Sequence, residues 1–333
     1  MTIDVTRPGL LTTLQDRGRH GCAMLGVGRA GAMDDVALRL ANALVGNAAD
    51  AAALEITLIG PRLRFERATT IALTGAEFPV HIGGDEIPMW QPVNVEAGDE
   101  LEVGTARRGS RACLAIAGGF VAESVLGSIS TDVNARLGGL DGRPLREHDR
   151  LLIRNASADD IVRARDQPPA SSPPRSGRWS LDPRPWFDTD IASPIHLIRG
   201  SHFDALDAAS RAALFAKNFR IAAESNRVGF RLDGARLELA APLELVSEPL
   251  AAGTLQLPPG GQPIALMVEH PTIGGYPRIG QIAAVDLARL AQRRPGDPVR
   301  FVEIDLDEAQ TRYLEREREL ERLIAAIGER LGA

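Results

Sequence analysis

The sequence predicts a mainly β fold with a few helices, and three features of its patterning support this. Short apolar or alternating runs are separated by Gly and Pro along the 333 residues, which include 33 Gly and 22 Pro. Runs of this spacing are typical of barrels and sandwiches. Few segments show the 3.6-residue periodicity of a helix. The length favours two domains over a single core.

The predicted strands are runs that alternate between apolar and polar residues or stay apolar between turn residues. Examples are residues 54–60, 62–66, 70–75, 78–84, 99–104, 111–119, 236–242, 253–259, 263–270 and 297–304.

The clearest predicted helix begins after Asp34, a residue type that caps helix N-termini, and ends at Gly46. Three further helical patterns follow it. One covers residues 204–215, a short one ends before Pro295, and the last covers 307–331 with a narrow apolar stripe.

A stretch rich in Pro, Ser and Arg divides the chain. It starts at residue 166 with DQPPASSPPRSGRWSLDPRPW and cannot hold regular structure. We therefore predict an N-terminal β-rich lobe over 1–165, a linker over 166–190, a second lobe over 191–305 and a C-terminal helix over 306–333.

Composition excludes several classes of protein. A net charge of −6 gives no basis for nucleic-acid binding. The two cysteines form no CxxC pair, as expected in a reducing compartment. The N-terminus lacks a signal-peptide pattern and no apolar run is long enough to span a membrane, so we expect a cytoplasmic protein.

Several kinds of active site are also excluded by the residues present. The only lysine, Lys217, lies in FAKNF, so the chain has no P-loop. The six histidines share no metal-ligand spacing, and no HExxH or GxSxG motif occurs, so no metal site is predicted.

The glycines of Gly26-x-Gly28-x-x-Gly31 match a dinucleotide-binding pattern, but their surroundings do not. Such a site needs a buried strand before the glycines and an acidic residue at the end of the next strand. The preceding QDRGRHGCAML is polar, and 54–60 ends without an acid. We interpret the pattern as a glycine-rich loop.

Seven segments, taken together and in order, resemble one known family. They are residues 7–19, 31–42, 54–65, 72–78, 126–145, 225–232 and 258–301. With these segments the sequence is similar to the C subunit of bacterial ATP-dependent 5-oxoprolinase and to the second half of the carboxyltransferase region of urea amidolyase, also called allophanate hydrolase subunit 2. The resemblance covers about residues 3–305.

The resemblance implies a two-lobed cyclophilin-like β-barrel architecture and an obligate partner. That partner is a B subunit (allophanate hydrolase subunit 1, KipI-like), with an A subunit as a further possible component. As a 5-oxoprolinase component, the chain would act with ATP bound elsewhere in the complex. As a carboxyltransferase of urea-carboxylase type, it would use biotin carried on a separate chain. A non-catalytic protein that binds a regulator is the third alternative, and we expect the chain alone to be inactive.

The segment HPTIGGYPRIG holds the first group of candidate site residues. Thr272, Tyr276 and the amides of Gly274 and Gly275 can hold a planar urea-like or lactam ligand, with Arg278 near its carboxylate. Tyr276 is the catalytic candidate of this group. The alternative is a tight hairpin turn with a packed tyrosine. Relatives often carry Arg-Gln-Thr-Thr where this chain has HPTI, which weakens any role for residues 270 and 273.

A second group lies near the N-terminus and in the 126–145 loop. Asp16 is a candidate base, and Gln15 a candidate for binding a substrate amide. Thr131 and Asp132 stand in a polar loop that also holds Arg136 and can offer hydroxyls and an anion site. The alternatives are a surface Asp–Arg turn and a loop that satisfies its own backbone.

Arg227 is the last substrate-binding candidate. With Arg231 it can clamp a carboxylate or a carboxybiotin oxygen. A structural pair, or a contact with the B subunit, is the slightly favoured alternative.

Overall fold

The computed structural model describes residues 2–154, 176, 179–188 and 190–332, and over these the protein is mostly β. The helices in that part of the chain are α1 (Asp35–Leu44), α2 (Ala208–Ala216), α3 (Leu287–Ala291) and α4 (Leu306–Leu331), with 3-10 turns at Ala23–Leu25, Phe203–Ala205 and Ala284–Asp286. No helix in these ranges is long and apolar enough to cross a membrane.

The chain forms two compact units, each built from separate stretches of sequence. Of the described residues, unit 1 comprises those within 1–18, 34–187 and 320–333, and unit 2 those within 19–33 and 188–319. The predicted linker, 166–190, lies mostly outside the described residues.

Unit 1 contains two sheets. Its strands are β1 (Thr2–Arg7), β2 (Leu11–Gln15), β3 (Ala53–Thr57), β4 (Arg62–Phe65), β5 (Thr69–Glu77), β6 (Val80–Ile82), β7 (Asp85–Glu86), β8 (Val93–Val95), β9 (Glu100–Val103), β10 (Arg108–Ile116), β11 (Phe120–Val121) and β12 (Arg150–Ile153). One sheet has the order β11-β12-β1-β4-β9-β6-β7, and the other β2-β3-β10-β5-β8. Within both sheets the paired strands run antiparallel.

Helix α1 packs on β5 and β10 at a point where the sheet allows close approach. The Thr74 hydroxyl donates to the carbonyl of Ala37 at 2.6 Å. Gly75 has φ +97°, and a Cβ there would meet the Arg111 carbonyl oxygen at 2.6 Å. Only glycine fits at that position without strain. Both Thr74 and Gly75 lie inside β5, whereas the predicted strand over 70–75 ends there.

Unit 2 is built around a closed barrel. Its strands are β13 (Ile195–Arg199), β14 (Asn218–Ile221), β15 (Gly229–Asp233), β16 (Glu248–Pro249), β17 (Thr254–Gln256), β18 (Ile264–Leu266), β19 (Ile273–Gly274), β20 (Arg278–Ile282) and β21 (Pro298–Glu303). The barrel order is β13-β20-β17-β18-β15-β14-β21, and the parallel pairing of β13 with β21 closes it. β16 and β19 form a separate two-stranded ribbon.

The barrel interior is filled by large side chains. Phe219, Phe230 and Phe301 are at most 2% exposed, and Met33 joins the same apolar core from the early stretch of unit 2. Closure leaves no free barrel edge, which removes the usual site of edge-to-edge association.

The predicted mostly β fold with a barrel and few helices is confirmed, and two local differences from the predicted elements are informative. Residues 236–242 do not form a strand and make only an isolated bridge between Leu239 and Leu206. Their residues alternate between apolar and polar as in a strand, but among the described residues no neighbouring strand pairs with them. Conversely, Leu11–Gln15 is not among the predicted strands given above, yet it forms β2, in which the polar residues Thr12, Thr13 and Gln15 are buried.

Replacing the cap of α1 should destabilise the protein. The Asp34 carboxylate accepts the amide of Ala37 at 2.9 Å, so Asp34→Ala leaves a buried helix-end donor unpaired. We expect the free energy of unfolding to fall by about 1 kcal/mol, measured by urea denaturation. Asp50→Ala, an exposed aspartate outside the helix, is the control. Equal stability of the two variants would contradict the capping role.

Candidate functional site

Strand β2 is the edge strand of its sheet, and a long loop covers it. This loop, residues 122–149 between β11 and β12, is called the covering loop below. The Thr131 amide donates to the Leu14 carbonyl, and the Leu145 amide to the Thr12 carbonyl, each at 2.9 Å. The loop therefore satisfies β2 backbone groups that no neighbouring strand pairs.

The side chain of Asp16, directly after β2, fixes the covering loop in place. Its carboxylate accepts from the Ser128 hydroxyl at 2.6 Å, the Ser130 hydroxyl at 2.5 Å and the Ile129 amide at 2.8 Å. The Gly18 amide donates to it at 2.7 Å. Three of these four hydrogen bonds end on Oδ1 and one on Oδ2, so Oδ2 keeps a lone pair from which Asp16 can accept a proton.

Gln15 and Thr131 are joined beneath the loop. The Gln15 side-chain amide donates to the Thr131 carbonyl at 2.9 Å, and both residues have no exposed surface. The Gln15 Oε1 and Thr131 Oγ1 atoms are buried and have no partner among the described residues. Thr131 also packs closely against Gly139, a residue that lines the cleft described next. A Cβ at Gly139 would lie 2.0 Å from the Thr131 hydroxyl oxygen.

The side chain of Asp132 forms hydrogen bonds within its own loop. Its carboxylate accepts the amides of Asn134 and Ala135, at 3.1 and 2.9 Å. That is the local turn stated as the alternative to substrate binding.

A cleft of about 510 Å³ opens between the covering loop and the ends of β11 and β12. Arg143 and Asp149 on its wall form a two-pronged ion pair with distances of 2.7 and 2.8 Å. This hydrogen bonding lowers the pKa of the Asp149 carboxyl and raises the pKa of Arg143. The pair stiffens the loop beside the cleft.

Two non-glycine residues of the cleft wall have left-handed backbones. Arg136 has φ 56° and Asp141 has φ 54°. For Arg136 this backbone costs about 1–3 kcal/mol and persists only where its surroundings impose it, whereas Asp tolerates the left-handed region more readily. Bridges between Asp132 and Leu137 and between Leu140 and Arg143 impose it here.

The candidates of the HPTIGGYPRIG segment lie in unit 2, around the β16–β19 ribbon. The Thr272 carbonyl accepts the amide of Leu250 at 2.9 Å, and Tyr276 is 47% exposed. Gly274 does permit close approach, since a Cβ there would meet the Leu250 side chain at 2.7 Å. Neither Gly274 nor Gly275 has a positive φ.

Arg278 is already paired within the chain. Its guanidinium forms an ion pair with Glu248 and donates to the Pro249 carbonyl at 3.3 Å. Both contacts tie β20 to the ribbon.

Arg227 lies in a buried ion pair. Its Nε is 2.5 Å from Glu269 Oε1, and its Nη2 donates to the Gly31 carbonyl at 2.7 Å. The two side chains are 5% and 1% exposed. The Ala30 amide also donates to the Val268 carbonyl, at 3.1 Å. Arg227 thus fastens residues 19–33 to the barrel, consistent with the structural alternative.

The structure brings Gln15, Asp16 and Thr131 into one network in unit 1, and Thr272, Gly274 and Arg278 around one ribbon in unit 2. Sequence reasoning missed Glu269, although a carboxylate inside the apolar run PIALMVEH is a visible signal of a buried pair.

It also missed an Asp–His–Arg chain in unit 2. Arg312 donates to His196 Nε2 at 2.8 Å, so the ring proton sits on Nδ1 and faces the fully buried Asp286, also at 2.8 Å. These residues are far apart in sequence and form no local motif.

The glycine loop offers no phosphate cradle. A 3-10 turn at Ala23–Leu25, not a strand, precedes the glycines. The Asp34 carboxylate already accepts the Ala37 amide at the N-terminus of the following helix, where a phosphate would have to bind. ATP therefore does not fit here. Among the described ranges, no group of three or more His, Cys, Asp or Glu residues is placed to hold a metal.

A family comparison identifies the relatives of this fold. The model of the carboxyltransferase domain, subdomain A and B, matches residues 25–303. The chain belongs to the carboxyltransferase-domain family.

Individual relatives confirm the resemblance found in the sequence. This carboxyltransferase-domain chain is 36% identical over 320 residues to the C subunit of 5-oxoprolinase from Escherichia coli (strain K12), covering 94% of the chain and 97% of that protein. It is 30% identical to urea amidolyase of Saccharomyces cerevisiae, covering 93% of the chain and 17% of the yeast protein. The crystal structure of the K. lactis urea amidolyase superposes with a TM-score of 0.85 at 28% identity, over 98% of this chain and 20% of that one.

Breaking the buried ion pair of this carboxyltransferase-domain chain should be costly. Arg227→Ala leaves the Glu269 charge buried without its guanidinium, and we expect the free energy of unfolding to fall by about 3–5 kcal/mol. Chemical denaturation measures it. Arg231→Ala, on the exposed side of β15, is the matched control. A loss no greater than the control's would show that the pair does not hold the barrel and the 19–33 stretch together.

The Arg143–Asp149 pair should make stability depend on pH in the acid range. Because its pKa is lowered in the folded state, Asp149 contributes stability above the usual aspartate pKa and loses it as pH falls through the lowered value. At pH 7, Asp149→Asn should lower the free energy of unfolding by about 1–3 kcal/mol. This difference in the free energy of unfolding between the variant and the unmodified protein should begin to narrow below roughly pH 4. It should vanish only below the lowered pKa of Asp149.

The measurement is a series of urea midpoints across that pH range. Glu147→Gln, an exposed acid of the same loop, is the control and should show no such gap. A gap that stays constant down to the lowest pH would contradict the assignment.

Proposed function

We propose that this chain is the C subunit of an ATP-dependent 5-oxoprolinase, which opens 5-oxoproline to glutamate. The observation that carries this is the 36% identity to the Escherichia coli protein, spread over 97% of its length. A likeness over almost the whole length supports the same place in the same assembly. Hydrolysis breaks the lactam C–N bond, adds the oxygen of water to the new carboxylate and leaves the nitrogen as an amine.

A carboxyltransferase of urea-carboxylase type is the second candidate. It is favoured by the family model and by the 30% identity to urea amidolyase, of which this chain matches 17%. In that case a carboxylated biotin on another chain would deliver the carboxyl group.

The proposal includes partners. A B subunit of the allophanate hydrolase subunit 1 type would complete the substrate site, and an A subunit is the further component. ATP hydrolysis supplies the driving force for opening an unstrained lactam. The described residues of this chain provide no phosphate loop, so we assign ATP to another subunit. The complex would work in the cytoplasm.

Two sets of residues would serve the reaction. In unit 1, Asp16 and Gln15 hold the loop that carries Thr131 and Asp132, with Asp16 as the candidate base. In unit 2, Tyr276 presents an exposed hydroxyl, and the ribbon of Thr272, Gly274 and Gly275 presents backbone groups to a planar lactam. Arg278 acts by fixing the ribbon through Glu248. Arg227 acts by fixing residues 19–33 to the barrel through Glu269 and the Gly31 carbonyl.

The function is tested by co-expressing the chain with its genomic neighbours and purifying the complex. ATP-dependent release of glutamate from 5-oxoproline that persists with avidin present is the expected result. No glutamate, together with avidin-sensitive ATP turnover on urea or another amide, would replace the proposal by the carboxyltransferase. If neither occurs, a non-catalytic regulator-binding role is favoured.

Tyr276→Phe tests the site within that complex. The Tyr276 hydroxyl makes no hydrogen bond among the described residues, so its removal should leave folding and assembly unchanged. We expect turnover to fall by roughly a hundredfold, as for loss of a general acid–base group. Tyr313→Phe changes the other tyrosine of the chain, which lies on α4, and serves as the control. Equal rates for the two variants would exclude Tyr276 from catalysis.

A further inference from the structure

The cleft under the covering loop carries charges that the proposed reaction steps do not use. Three arginines line it, and two of these are neutralised by neighbouring carboxylates. Arg143 is paired with Asp149, while Arg150 is paired with Asp4 at 3.2 Å and also with Glu66. The guanidinium of Arg136 makes no hydrogen bond or ion pair within the described residues.

Two carboxylates of the same cleft are also without hydrogen bonds or ion pairs in the described part of the chain. These are Asp141, in the wall beside Arg136, and Glu123, just after β11. The cleft therefore offers one cation and two anions without a hydrogen-bonded partner among the described residues, and the charge of Asp141 also contributes to the raised pKa of Arg143. A polyanion such as a nucleotide would face both carboxylates and be repelled, whereas a ligand with one negative and one positive end would be complementary.

The backbone indicates that this arrangement is imposed rather than accidental. Arg136 and Asp141 are the two residues of the cleft wall held in left-handed conformations without being glycine. Gly142 passes so close that a Cβ on it would lie 2.0 Å from the Arg136 carbonyl carbon. Strain of this kind concentrates at ligand sites.

We propose that this cleft binds an α-amino acid as its zwitterion, with Arg136 on the carboxylate and Asp141 and Glu123 on the ammonium group. Its volume of about 510 Å³ accommodates a small ligand. The choice of amino acid rests on the proposed function. Ring opening turns the neutral lactam nitrogen into a charged amine, so the α-carboxylate and α-ammonium groups of glutamate match both ends of the cleft and 5-oxoproline matches only one. The γ-carboxylate of glutamate has no further unpaired arginine among the described residues of the cleft.

The test is calorimetric titration of L-glutamate, 5-oxoproline and inorganic phosphate into the full chain and into the complex purified with its neighbouring subunits. Glutamate should bind and phosphate should not. Arg136→Gln should weaken glutamate and 5-oxoproline by roughly tenfold or more, the effect of one charge-assisted hydrogen bond. Asp141→Asn should weaken glutamate several-fold and leave 5-oxoproline nearly unchanged, because the lactam nitrogen is uncharged.

Arg146→Gln is the matched control, since Arg146 is exposed on the same loop and does not line the cleft. Absence of glutamate binding in both preparations, or equal affinities for Arg136→Gln and Arg146→Gln, would overturn the site. Equal losses of both ligands in Asp141→Asn would overturn the ammonium assignment. Arg136-dependent glutamate binding in a complex that does not turn over 5-oxoproline would remove the proposed function and leave this site standing.

Discussion

The carboxylate of Asp16 is the contact on which the organisation of unit 1 around its cleft depends. It gathers two hydroxyls and one amide from residues 128–130 at the end of an edge strand. An uncovered edge would present unpaired backbone groups to any passing strand. The covering loop solves that problem, and in doing so it brings Arg136 and Asp141 to the wall of a cleft. The same loop therefore both covers the edge of the sheet and forms the wall of the proposed ligand site.

Unit 2 solves the edge problem differently, by closing its sheet into a barrel. Because the barrel has no open edge, the buried ion pair between Arg227 and Glu269 is not needed to cover one. The arginine instead reaches the Gly31 carbonyl and so recruits a separate stretch of chain. A buried ion pair contributes little net stability compared with apolar packing, but it strongly disfavours any arrangement that separates its partners. It therefore specifies where residues 19–33 dock on the barrel.

The parts of the molecule that the sequence predicted well are those fixed by local chemistry. Helix α1 has its cap, its apolar face and its terminating Gly46 within a dozen residues, and all three are found in the structure. The contacts that escaped prediction join distant residues. Asp16 meets Ser130 across 114 positions and His196 meets Asp286 across 90, and no periodicity encodes such pairings. Residues 236–242 show the opposite case: a local pattern is present, but without a neighbouring strand these residues form only an isolated bridge. The left-handed backbones of Arg136 and Asp141 likewise depend on the closure of a loop, which residue type alone does not reveal.

The bond between Arg227 and Gly31 has a consequence for how the protein is made. The two residues are 196 positions apart, and both belong to the barrel unit. A ribosome adds roughly 5–20 residues per second, so the early stretch emerges on the order of ten to forty seconds before its arginine. During that interval Met33 has no barrel core to enter. The nascent chain must keep residues 19–33 accessible while most of unit 1 is being synthesised, and completion of the barrel necessarily belongs to the late stage of synthesis.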